Sequence, residues 1–249
     1  MIRKKILLTG GTGKIGTVFV KELLKENHIL YVTTRNIINA NIWLENNYFT
    51  KDNIILIECD FYSENAVDII HRNINDGVDV IIHNARDVDT LRLDSDGKIS
   101  SNQFQNELFI ATVFPYLLTN KLLETNKKIN DIIFISSMYG VVAPSPRLYE
   151  NFEQQSPINY GIAKAAQIHL VKEMAIRYAD LNIRVNSISY GGVEGRVSED
   201  FKQRYSELCP LKRMLSDIDL FPPIKMIIDN TNLLITGENI KIDGGWTIW

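Results

Sequence analysis

Tyr160 and Lys164 stand four residues apart in SPINYGIAKAAQIHL, a stretch otherwise made mostly of small and apolar residues. On a helix that spacing puts the phenol and the ammonium on one face, and Ser156-Pro157 just before them reads as a helix start. A free phenol titrates at about pH 10, and a neighbouring ammonium favours its ionised form. Such a pair can pass a proton to or from an oxygen placed beside it. The plainer reading is a half-buried tyrosine next to a solvated lysine. The pair therefore gains meaning only if the chain also supplies a pocket and a ligand.

A second group of residues points to the ligand. In LLTGGTGKIGTVFV, Gly11, Gly13 and Gly16 satisfy G-x-G-x-x-G, while Gly10, Gly13 and Gly16 equally satisfy G-x-x-G-x-x-G. The turn closes an apolar run and opens a helical one, the context in which backbone amides and a helix N-terminus hold a pyrophosphate. Lys14 and Ile15 lie inside the turn, and Lys14 adds positive charge. Chains that bind NAD carry an acid about 20 residues further on. Here the second apolar run ends Val32-Thr33-Thr34-Arg35, with no carboxylate. A guanidinium at Arg35 suits a 2′-phosphate, so NADP(H) is expected ahead of NAD(H), which stays open.

The elements that must position these residues follow from periodicity. KKILLTG, HILYVTT, NIILIEC, VDVIIHNA, NDIIFISS, NIRVNSIS and NIKIDGG read as buried strands. Segments of helical length lie between them, IGTVFVKELLKEN and FPYLLTNKLLETN among them. Seven strands with intervening helices imply an α/β fold: a single-domain Rossmann fold with a doubly wound, parallel, seven-stranded sheet and helices on both faces. The 249 residues, 45% hydrophobic, suffice for that core. No linker or repeat divides them, so residues 1–249 are expected to form one dinucleotide-binding domain. Its ligand should sit beyond the carboxyl ends of the strands.

Bulk properties exclude several function classes. A net charge of −3 gives no basic signature for nucleic acid. The apolar run near the N-terminus breaks at glycine, too short for a leader or a membrane span. Cys59 and Cys209 stand apart from each other and from any histidine cluster, so no disulfide framework and no metal site is expected. A reduced, cytoplasmic setting fits best.

With the glycine turn at one end and Tyr160-x-x-x-Lys164 at the other, the chain resembles the short-chain dehydrogenase/reductase family over essentially its whole length. Asp60 in ECDFYS, with Phe61 beside it, matches the family's acid at the adenine. Asn84-Ala85 in IIHNAR matches the motif after the fourth strand, and Ser136-Ser137 in FISSMYG the strand of the catalytic serine. Tyr190, Gly191 and Val193 in SISYGGVEG fall in the loop beside the nicotinamide, and ITGENIKIDGG matches the last strand. The resemblance implies that Ser137, Tyr160 and Lys164 are catalytic. Tyr160 would act as general acid or base, Ser137 would hold the substrate oxygen, and Lys164 would lower the phenol pKa and bind the nicotinamide ribose. Hydride would pass between the cofactor and a carbonyl or hydroxyl carbon. It also implies a homodimer or homotetramer through the helix of Tyr160, whose Gly161, Ala163, Ala165 and Ala166 allow close approach. His169 on that helix reads as a packed or interface histidine.

The chain also departs from the pattern. Ala111 stands where the family has an Asn that helps hold a water linking the lysine to solvent. Arg86 replaces a glycine, Tyr190 a proline, and Gly195 a threonine that holds the carboxamide. Ser137 and Tyr160 are further apart than usual, and the insertion, with Arg147, Tyr149, Glu150 and Asn151, is expected to form one substrate wall. The segment from about 190 to 222 is expected to form another. The pattern SSMYGVVAP followed much later by Tyr160-x-x-x-Lys164, then NIRVNSIS-x-GGV, particularly resembles oxidoreductases of bacterial surface-sugar and flagellin-modification pathways. The implied substrate is a sugar phosphate or nucleotide-linked sugar, with Arg147, Lys202, Arg204, Lys212 and Arg213 as candidate phosphate partners. A dinucleotide-binding sensor or structural subunit with weakened catalysis is the competing reading.

Overall fold

In a computed structural model, which describes every residue except Met1, Asn75, Lys127, Arg196 and Thr231, each of the seven apolar runs forms a strand. They are β1 Lys5–Thr9, β2 Ile29–Thr34, β3 Ile54–Glu58, β4 Val80–His83, β5 Asp131–Ser137, β6 Arg184–Tyr190 and β7 Asn239–Ile242. All neighbours pair in parallel, in the order β3-β2-β1-β4-β5-β6-β7. The order reverses direction between β1 and β4. Loops leaving those two strands diverge there, which opens a crevice at their carboxyl ends.

The helices are α1 Lys14–Lys25, α2 Ile37–Asn46, α3 Ala66–Asn73, α4 Ser101–Leu108, α5 Phe114–Thr125, α6 Phe152–Gln155, α7 Ile158–Arg177, α8 Glu199–Leu208, α9 Asp217–Leu220 and α10 Pro222–Asp229. Alternation along the strands sends side chains to two separate cores. Leu7, Ile81, Ile132 and Phe134 meet α3, α5 and α7 on one face, through Ile70, Leu118 and Met174. Ile6, Leu8, Val32, Ile82 and Ile133 meet α1, α2 and α10 on the other, through Phe19, Leu44 and Ile224. Each such fully buried side chain contributes about 1.5–3 kcal/mol of transfer free energy. A third, smaller cluster of Met138, Leu148, Tyr205, Cys209, Met214 and Trp246 stands apart from both.

Two local features bear on the site. The helix of Tyr160 begins later than Ser156 suggests: Pro157 is the extended residue before it (φ −67°, ψ 120°), and no side chain caps the first turn. Upstream, Ser100 and Gln103 form a capping box that starts α4. Between α4 and α5 the rod widens into a π-helical turn, Phe109–Val113, in which the Phe114 N–H donates to the Phe109 carbonyl. Pro115 lies four residues after Ala111, and in a regular helix its ring would strike the Ala111 carbonyl.

Candidate functional site

A cavity of about 420 Å³ lies where the sheet order reverses. Its walls are the glycine turn, the ends of β2 and β3, the loop after β4, the end of β5, and the face of α7 that carries Tyr160 and Lys164. Of the expected site residues, all but Ser137, Tyr190 and Gly191 line it.

The glycine turn is shaped by close backbone approach. Gly10 has φ +67°, and a Cβ there would lie 2.7 Å from the Cα of Ala85. A Cβ on Gly16 would lie 2.3 Å from the Gly10 carbonyl oxygen, and one on Gly11 would lie 2.7 Å from Val32 Cγ1. Gly10 and Gly11 are therefore both required, and the two glycine patterns describe one turn. Gly13, by contrast, is exposed, and a Cβ there would meet nothing nearer than 3.4 Å. It precedes α1 with no side-chain cap, which leaves backbone N–H groups at the helix start free for a ligand. Asn84 braces the turn from β4: its Nδ2 donates to the carbonyls of Thr9 (3.2 Å) and Gly10 (2.9 Å). Thr9 Oγ1 in turn accepts the N–H groups of Asn84 and Ala85. Lys14 reaches across the mouth to Gly195, whose Cβ would come within 2.6 Å of the lysine Nζ. The glycine that replaces threonine there makes room for this ammonium.

At one end, Thr34, Arg35, Asp60 and Phe61 form the wall. Phe61 is stacked on Phe114 with centroids 4.0 Å apart. Arg35 lies 3.6 Å from Asp87, whose carboxylate also accepts the Tyr62 hydroxyl at 3.0 Å. Burial, with Asp87 beside it, holds the Tyr62 phenol protonated well above its ordinary range. Backbone donors free of a cap, a cradle closed by glycines and a guanidinium at the far end together fit a nicotinamide dinucleotide.

At the other end, Tyr160 and Lys164 face the cavity. The Lys164 Nζ is buried and donates to the carbonyl of Ile135 (2.7 Å) and to Gln167 Oε1 (3.2 Å). Burial pushes its pKa down to about 8, against the opposing pull of Glu107 and with a smaller push from Arg86. The Arg86 guanidinium sits over the Tyr160 ring, 4.6 Å from its centroid. Tyr139 meets the same ring edge-on at 6.4 Å and shares a 2.6 Å hydrogen bond with the hydroxyl of Tyr149, from the insertion.

Three of the expected residues lie off the cavity wall. Ser136, not Ser137, is the serine on the cavity wall; its hydroxyl donates to the Lys164 carbonyl at 3.3 Å. Ser137 is buried beside it, and its Oγ accepts the Tyr139 N–H at 3.2 Å, which leaves its own hydrogen free. Tyr190 points into the core under β6: its ring lies 6.4 Å from Phe19, and its hydroxyl donates to the Leu220 carbonyl. Gly191 packs between α8 and the C-terminal loop, where a Cβ would lie 2.7 Å from the Tyr205 hydroxyl and 3.0 Å from the Cα of Asp243.

Most of the cations expected to bind phosphate are engaged elsewhere. Lys202 pairs with Glu199 at 2.6 Å, and Arg213 grips Asp219 through two bonds of 2.6 and 2.8 Å. Arg204 donates to the Leu148 carbonyl (2.8 Å) and to Glu150 (3.3 Å), and Lys212 to the Glu207 carbonyl (3.1 Å). The two bonds of Arg204 tie α8 to the insertion. His169 is exposed and lies 3.7 Å from Glu173, so it is not packed within the chain. Sequence reasoning missed Asp87 and Gln167 as parts of the site. Gln167 carried a signal, since it lies three residues after Lys164 and so shares its helix face. No helix among the described residues is long and apolar enough to cross a membrane.

Comparison with known proteins bears on this geometry. The family described as short chain dehydrogenase matches residues 4–206. Post-translational flagellin modification protein A of Campylobacter coli is 26% identical over 263 residues, spanning 99% of this chain and 99% of that protein. The 3-oxoacyl-(acyl-carrier-protein) reductase FabG of Aquifex aeolicus is 27% identical over 257 residues, spanning 97% and 96%. Among solved structures, a short chain dehydrogenase of Leptospira borgpetersenii with bound NAD+ superposes with a TM-score of 0.83 at 26% identity, covering 98% of this chain and 93% of that one.

Proposed function

Because the chain belongs to the short-chain dehydrogenase/reductase family and is an NAD(P)-dependent oxidoreductase, we propose that it acts on a phosphorylated or nucleotide-linked sugar, with NADP(H) preferred over NAD(H). The observation that carries the reading is the cavity itself. It joins an uncapped glycine turn and Arg35 at one end to Tyr160 and Lys164 at the other.

A bound nicotinamide dinucleotide supplies or accepts the hydride. In the reducing direction the substrate carbon gains that hydride and its oxygen gains a proton. Tyr160 gives the proton from its phenol. The Lys164 ammonium stabilises the phenolate left behind and has one N–H to spare for a ribose hydroxyl, since two of its three donors are engaged. Ser137, whose hydroxyl hydrogen is uncommitted, donates to the substrate oxygen once a ligand brings that oxygen to the rim.

Arg35 and Lys14 support the choice of NADP(H), as cations at the ribose and pyrophosphate positions. Arg86 supports an anionic substrate: its exposed guanidinium lies in the cavity over Tyr160 with no carboxylate partner among the described residues. The flagellin modification named for the Campylobacter relative fits a place in surface-glycan synthesis. We further propose one cytoplasmic domain that forms a homodimer or homotetramer. The apolar side chains that α5 and α7 leave exposed, Tyr116, Leu117, Ile158 and Ile162, support the association.

Fluorescence titration of NADPH and NADH tests the cofactor choice. The unmodified protein is expected to bind NADPH more tightly, and Arg35→Ala to lose about tenfold for NADPH but little for NADH, as for one charge-assisted contact. Tighter binding of NADH by the unmodified protein overturns the preference. Cofactor oxidation over keto-sugar phosphates and their neutral parents tests the substrate class. Binding without turnover across that panel favours a dinucleotide sensor.

A further inference from the structure

Lys164 is held differently from what the family resemblance implies. Its ammonium donates to Gln167 Oε1 at 3.2 Å, and Gln167 Nε2 donates to the carbonyl of Ala111 at 3.0 Å. All three residues are buried. An ammonium only donates and a carbonyl only accepts, so this amide has a single orientation that satisfies both neighbours. The residue four positions on from Ala111 is Pro115, which has no N–H to give the Ala111 carbonyl an α-helical bond. A side chain thus links the lysine to residue 111, where the resemblance implies a bound water.

We infer that Gln167 is a positioning residue: an amide strut that fixes the Lys164 ammonium against the π-helical turn and closes that side of the site to proton exchange. The inference rests on the catalytic role proposed for Lys164. A carboxamide bonded at both ends orients its neighbours, but it neither releases nor takes up a proton near neutral pH, so it cannot relay one as a water does. Proton exchange between the Tyr160–Lys164 pair and solvent then runs through the open cavity. The charged and titratable groups facing the ammonium are Glu107 from α4, Arg86 from the loop after β4, and Tyr160 on its own helix.

Two substitutions separate a strut from a mere packing contact. Gln167→Met keeps an unbranched side chain of similar length but neither hydrogen bond. It is expected to lower kcat about tenfold, with NADPH affinity within about twofold, as for a lost hydrogen bond to a buried charge. The Lys164 titration midpoint, followed by NMR on 13C-labelled lysine, is expected to fall, because the ammonium has lost an acceptor. Gln167→Ala opens space for a water between the ammonium and the Ala111 carbonyl. Its melting temperature is expected to be lower than that of the Met variant and its kcat higher. A packing role predicts the opposite: kcat tracks melting temperature, Ala is worse than Met, and the Lys164 midpoint stays put. That pattern overturns the inference. An unmodified protein without turnover, combined with a shifted midpoint in Gln167→Met, retires the catalytic reading and leaves the strut standing. An unmoved midpoint overturns the strut whatever the turnover.

Discussion

The two ends of the cavity are built from different material. The end fitted to the dinucleotide is made largely of backbone: a glycine turn, the start of α1 and the tips of β1, β2 and β4, all seated on aliphatic residues with almost no exposure. The end fitted to the substrate is backed by a separate aromatic cluster. Tyr205 stacks on Trp246 with centroids 4.5 Å apart, Tyr149 meets Phe152 and Phe201, and Met138 and Leu148 fill the space between. Backbone recognition is set by where the chain runs, so it changes only when a Cβ intrudes. Side-chain recognition can be rewritten residue by residue without disturbing the sheet. One fold can therefore keep its cofactor while its substrate drifts.

The sharpest way to break this division is Tyr160→Phe. It removes only the transferable proton, so kcat should fall by about 10²–10⁴-fold while NADPH binding stays within a factor of two. Single-turnover kinetics alongside fluorescence titration would check this, and joint loss of both would mean that the two ends are not separable. Next comes Trp246→Ala, which deletes one member of the aromatic stack. We expect it to cost about 3–5 kcal/mol locally, to raise the substrate KM and to leave NADPH affinity near that of the parent. Hydrogen exchange should locate the loosening in residues 138–155 and 197–214. Protection lost equally across β1 and β2 would show a single core. The smallest effect is that of pH. Burial lowers the Lys164 pKa to about 8, so its charge is present below that pH and lost above it. Turnover that depends on the ammonium should be about halved near pH 8 and fall about tenfold per further unit, with cofactor binding less affected. A flat profile from pH 7 to 9 would separate Lys164 from the rate.

The backbone-built end was largely legible in the sequence, and the side-chain-built end was not. Runs such as VDVIIHNA and NDIIFISS carry their strand identity in β-branched residues, and the glycine turn announces itself because nothing else fits at Gly10 or Gly16. Tyr160 and Lys164 are fixed to one face by helix geometry alone. Family position sets Tyr190 beside the pocket, whereas its side chain joins Phe19 and Leu220 beneath the sheet. Four of the five candidate phosphate cations, Lys202, Arg204, Lys212 and Arg213, bond within the chain for a related reason. Arg204 and Arg213 look free in sequence, but their partners, the Leu148 carbonyl and Asp219, are settled by tertiary structure. In the sequence Arg86 stands out only as a missing glycine, and its place over Tyr160 emerges only when β4 and α7 are brought together.

The π-helical turn at Phe109–Val113 also sets the angular phase of the helices on either side of it. A regular α-helix rotates about 100° per residue, and a π-helical turn takes up one extra residue, so beyond it each sequence position sits about that angle away from where an unbroken α-helix would put it. The apolar stripe of α5 that meets the sheet, Phe114, Leu118 and Leu122, is aimed by that offset relative to Glu107 on α4. Without the wide turn, a regular α-helix drawn through the same sequence would swing those three side chains off the core and bring exposed neighbours such as Leu117 round toward it. The wide turn thus acts as a phase shifter within one continuous rod, letting Glu107 face the buried Lys164 while the next stretch faces the sheet.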